Sequence, residues 1–225
     1  MIVSAIHIAF SIQSWNDSKQ EMLAKQDLLQ QLRAETSENL KALTSDQEQK
    51  KIQVELFGKL IIAASLQVSD DTLRMALDEL LSHDQFSLSP MTLNSTLATG
   101  NLGSINDDAL RSLFRDIQRF ERTVAMQTAN RELINNQIEP YLTRRQVVYL
   151  LELKVAKSTP ESSLSVEQSA RIIRTLLGDR TFIDLVYLRL SRLNETLAHQ
   201  DTIVSRLSEL LTLLEKELDL IEYSD

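Results

Sequence analysis

From Ile183 to Ile221 the chain places a residue of one kind at alternating steps of three and four. These are Ile183, Val186, Leu190, Leu193, Leu197, Gln200, Val204, Leu207, Leu211, Leu214, Leu218 and Ile221. Only Gln200 among them is polar. A period near 3.5 puts all of them on one side of an α-helix and cannot belong to a strand. The helix this predicts, Asp179 to Glu222, is about 66 Å long at ~1.5 Å per residue. Burying an aliphatic side chain is worth ~1.5–3 kcal/mol, so such a seam has to be covered by other helices.

Two earlier stretches carry matching stripes. From Asn16 to Gln67 the only glycine is Gly58, there is no proline, and Gln, Glu, Lys, Leu and Ala dominate. These are good helix formers. Leu29, Leu32, Thr36, Leu40, Leu43, Gln47, Val54, Phe57, Ile61 and Ala64 trace one side of it, and the pattern fades between Gln47 and Lys51. In the second stretch, Leu110, Leu113, Ile117, Phe120, Val124, Gln127, Arg131, Ile134 and Ile138 step by threes and fours, with Pro140 beginning or kinking a continuation to Leu153. Shorter helices are predicted after Ser69-Asp70-Asp71, ending near Ser82, and after Ser165, whose spacing to Gln168 is that of a capping box, ending at Gly178. The least helical part, 84–104, holds Pro90, Gly100 and Gly103. The fold expected is all-α: an elongated antiparallel helical bundle with long coiled-coil-like helices.

Composition narrows the function. Four glycines in 225 residues are too few for a turn-rich sheet protein or a glycine-rich nucleotide loop. The absence of cysteine removes disulfides, thiolate nucleophiles and cysteine-ligated metal. A net charge of −8 argues against a general nucleic-acid surface. His7, His83 and His199 are far apart and lack a second ligand one turn away, so neither a metal site nor a histidine-based catalytic pair is expected. No catalytic set and no cofactor is predicted.

Residues 1–16 carry no formal charge apart from the titratable His7. Met1 to Ile12 makes a helix of roughly 18 Å, against the ~30 Å of a bilayer core. Trp15 sits at the junction with polar sequence, where an interfacial aromatic belongs. Two readings compete: the trailing part of a membrane span, or the first turns of an ordinary bundle helix. The first is favoured, dividing the chain into a membrane-anchor remnant, 1–15, and a single helical-bundle domain, 16–225.

Two segments together resemble a bacterial family of N-terminally membrane-anchored helical proteins, a domain of unknown function. One is Ile8-Ala9-Phe10-Ser11-Ile12-Gln13-Ser14-Trp15-Asn16-Asp17, with the charged helix that follows to Leu43. The other is Leu97-Ala98-Thr99-Gly100-Asn101-Leu102-Gly103-Ser104-Ile105-Asn106 and the helix start behind it. The resemblance implies a single span at the bacterial inner membrane, a helical body on the periplasmic side, and no established activity. The basic residues and first half of the span that the family carries ahead of Ile8 are absent here.

Remaining polar features have simpler explanations. Arg111, Arg115, Arg119 and Arg122 form a stripe, yet Asp107, Asp108, Asp116 and Glu121 lie within one turn of it and give several i,i+3 and i,i+4 pairs. Gly100 and Gly103 are expected to turn the chain tightly, not to bind an anion. Gln127 and Arg131 on the middle helix and Gln200 on the last occupy seam positions, so a buried polar layer that fixes register is predicted. The expected function is a membrane-anchored structural or protein-interaction bundle, with the bilayer and a protein partner or second copy as partners. The alternative is a sensory domain in which those three residues line a ligand cavity.

Overall fold

The structure, a computed structural model, describes residues 2–63, 68–82, 108, 121–145 and 166–222, without the side chains of 2–16, 18, 121–124, 166–170 and 222. Everything regular among them is helical. Helix α1 runs Ile2–Ile62 without a break, α2 spans Asp70–Leu80, α3 Glu121–Leu133, α4 Glu139–Arg144, α5 Val166–Leu177 and α6 Arg180–Glu222. Outside the described residues lie Arg111, Arg115, Arg119 and the side chain of Arg122. So do the Gly100–Gly103 loop, the Ser165–Gln168 pair, His83, and the side chains of His7 and Trp15.

Local chemistry explains the ends. The Ser69 hydroxyl accepts from the Thr72 amide at 3.3 Å, and Asp70 and Asp71 occupy the first turn of α2, where the helix dipole favours them. Between α3 and α4 the helix widens to a π turn over Ile134–Ile138, closed by the Glu139 amide on the Ile134 carbonyl. Pro140 follows in the first turn of α4. Its ring has no N–H for the Asn136 carbonyl and crowds it, and the wider turn takes up the misfit. Helix α4 spans Glu139–Arg144, and the expected continuation to Leu153 lies outside the described residues from 146 on.

The chain divides into two compact units. Among described residues, unit 1 takes α1 as far as Leu43 and α6 from Ile203. Unit 2 takes α1 from Thr44, then α2 to α5, and α6 to Thr202. In unit 1, Leu29, Leu32 and Leu43 of α1 and Ile203, Leu207, Leu210, Leu214 and Leu218 of α6 are buried. Lys25 Nζ meets Glu217 Oε2 at 3.1 Å, setting the two helices side by side there. The core of unit 2 joins Leu56, Phe57 and Leu60 of α1 to Leu73 and Leu77 of α2. It continues through Ile134 and Ile138 of the π turn and Leu142 of α4 to Ile173 of α5 and Phe182, Val186 and Leu193 of α6.

The seam of α6 differs from the expected one. Ile183, Leu190, Leu197, Val204 and Leu211 are only half-buried; Phe182, Arg189, Thr196, Ile203 and Leu210 take the centre. Both sets share a 3.5 period, and the apolar stripe is wider than its centre line. A reading weighted by residue type rejects Arg189 and Thr196. An arginine stem, however, packs like an aliphatic chain.

Candidate functional site

In unit 2 the buried line of α1 that contains Phe57 and Leu60 continues backwards, at the same three-four spacing, through Gln53, Lys50 and Asp46. Lys50 is 2% exposed and Gln53 9%, while Asp46 is half-buried. Three successive core positions are thus polar, each through the helical register of an apolar neighbour.

They are held by bonds to other elements. Gln200 Nε2 donates to Asp46 Oδ2 at 2.6 Å, and Lys50 Nζ donates to the same oxygen at 2.7 Å. Beside them Gln47 Nε2 donates to Asp201 Oδ1 at 2.8 Å. Two turns further along α1, Gln53 Nε2 donates to Glu79 Oε2 at 2.9 Å and to Ser82 Oγ at 2.7 Å. The fully buried Arg189 donates through Nη2 to the Ser82 carbonyl at 3.2 Å, so α6 reaches the end of α2. Asp46 has both the Lys50 ammonium and the Gln200 amide against it, and Glu79 has the Gln53 amide, the condition under which burial of a charge is tolerated. Gln200 Oε1 and Gln53 Oε1 are buried without a hydrogen-bond partner among the described residues.

A second cluster fastens the start of α6. Asp179 Oδ1 accepts from the Thr181 amide at 2.9 Å, as a helix cap does. Its Oδ2 accepts from Tyr141 Oη at 2.7 Å and from Arg145 Nη2 at 2.5 Å. The Arg145 guanidinium also lies 5.6 Å from the centre of the Tyr141 ring, which stacks at 6.3 Å on the buried Phe182. Burial first, and then the bond to Asp179, push the Tyr141 hydroxyl up to about 12. The Tyr141 bond holds the Asp179 carboxyl below the ordinary carboxylate value.

Of the residues expected in the polar layer, Gln200 is fully buried and bonded to Asp46. Gln127 is half-buried on α3, and Arg131 is exposed. The buried polar residue of α3 is Asn130, 2% exposed, whose Nδ2 faces Thr196 Oγ1 at 3.5 Å. Asn130 and Leu133 of α3 and Ile134 of the π turn behind it are buried, which turns Arg131 outward. The apolar stripes do not mark Asp46, Lys50, Gln53, Arg189 and Thr196 as members of this layer. Continuing the three-four register backwards from Phe57 without regard to residue type finds the three on α1.

Chemically, this arrangement pairs charges and amides with one another. Among the described residues no group of three or more His, Asp or Glu is placed to hold a metal ion, and no helix is long and apolar enough to cross a membrane. Comparison with family models, with curated proteins and with solved structures finds no match.

Proposed function

We propose that this chain is a helical scaffold or protein-interaction module, built as an elongated antiparallel bundle and held at a bacterial inner membrane by its N-terminal segment. The carrying observation is the mutually bonded layer of Asp46, Lys50 and Gln200. A layer whose donors are used on one another fixes which helix faces which and in what register. That favours scaffolding over the sensory alternative, which needs side chains aimed at a ligand.

Antiparallel pairing draws support from unit 2. Advancing along α1 from Asp46 to Gln53 corresponds to retreating along α6 from Gln200 to Arg189, through Ser82. The anchor draws support from α1, which carries the uncharged 2–16 stretch as a direct helical continuation of the body helix. In the orientation suggested by the family resemblance, the body lies on the periplasmic side. The test compares the whole chain with one lacking residues 1–14. Deletion should leave the thermal midpoint nearly unchanged and abolish sedimentation with lipid vesicles. A deletion that unfolds the protein would make this segment part of the core and end the anchor reading.

A further inference from the structure

Resting on the polar-layer reading above, we infer that the side-chain oxygens of Gln200 and Gln53 are binding sites for one small neutral hydrogen-bond donor each, and that the donor is water. Gln200 of α6 is fully buried and Gln53 of α1 is 9% exposed. They sit on different helices and are engaged in the same way. Each commits its Nε2 to a carboxylate, Gln200 to Asp46 at 2.6 Å and Gln53 to Glu79 at 2.9 Å. Turning either carboxamide over would set its oxygen against that carboxylate, so the orientation is fixed. The oxygen therefore faces away from it, and both Gln200 Oε1 and Gln53 Oε1 are buried with no donor among the described residues. Ser82, the hydroxyl beside Gln53, does not serve. Its single hydrogen goes to Glu79, to the carbonyl at 2.8 Å or the carboxylate at 3.1 Å.

A buried acceptor without a donor is costly, and interior waters are found at such groups. The charges nearby select the kind of donor. A cation would meet the Lys50 ammonium, which stands on α1 between Asp46 and Gln53, one turn from each. An anion would meet the Asp46 and Glu79 carboxylates. A neutral donor remains. The core bounds its size, because the buried Leu56 and Phe57 follow Gln53 within about a turn and Leu193 precedes Gln200 by two. Water is small enough, and its second hydrogen suits the carboxylate that each glutamine already faces.

The experiment is a high-resolution crystal structure of the full chain, with that of Gln200→Leu beside it. The parent should show an ordered water within about 3 Å of each glutamine Oε1. Gln200→Leu should lose the water at its own layer and keep the one at Gln53. Should that variant fail to fold, the parent structure decides alone. Dry oxygens beside intact Asp46 and Glu79 bonds overturn the inference and leave the polar layer standing. Glutamines turned out to bulk solvent overturn the layer and the inference together. Density for a larger molecule against either oxygen overturns water as the occupant and favours the sensory alternative.

Discussion

Gln200 Nε2 lies 2.6 Å from Asp46 Oδ2, across 154 residues of sequence, and this bond joins α6 to the half-buried carboxylate that also holds Lys50. Replacing Gln200 with leucine removes a donor to a charged acceptor. It should lower stability by about 1–2 kcal/mol in urea titration. Lys50→Met, which strips the carboxylate of its cation, should cost about 3 kcal/mol. The triple variant D46L/K50L/Q200L should return to within about 1 kcal/mol of the parent, because no charge is left stranded. A triple variant as unstable as the sum of its parts would show that the layer contributes net stability, not register.

Leu207 is 2% exposed in unit 1. Leu207→Asp sets a carboxylate in that apolar seam and should cost about 3–5 kcal/mol, with a loss of helicity by circular dichroism. An unchanged midpoint would refute the burial of this seam.

The Asp179 cluster predicts two pH limbs of opposite sign. Asp179 titrates lower when folded than when unfolded, so its contribution is complete above the ordinary carboxylate value near 3.8 and fades as pH falls through the depressed one. Tyr141 titrates higher when folded, so its contribution holds below about 10 and is lost as pH rises toward about 12. Tyr141→Phe should cost about 1 kcal/mol at neutral pH and flatten the alkaline limb. Asp179→Asn should flatten the acid limb. Thermal midpoints from pH 3 to 11 measure both.

Gly58 lies inside α1, and a Cβ built on it meets nothing within 4 Å. Gly58→Ala should therefore raise stability by about 0.5–1 kcal/mol through helix propensity alone. A lower midpoint would mean that the site is more crowded than its geometry shows.

The sequence by itself determined the helical class, the cap of α2 at Ser69, and the long final helix, found at Arg180–Glu222. Propensity, capping and a 3.5 period act over a few residues, so a local reading reaches them. The tertiary structure alone decided which residues stand at the centre of each stripe. Lys50 lies where the apolar signal fades and Asp46 and Gln53 lie on either side of it; Gln200 comes to meet the half-buried Asp46, which holds Lys50, and Glu79 and Ser82 come to meet Gln53. Asn130 displaces Arg131 and Arg189 displaces Leu190 for the same reason. Asp179 reads as the start of a helix, and only the approach of α4 makes it the acceptor for Tyr141 and Arg145. A buried polar residue is stabilised by partners distant along the chain, so its own neighbourhood in the sequence cannot mark it as core.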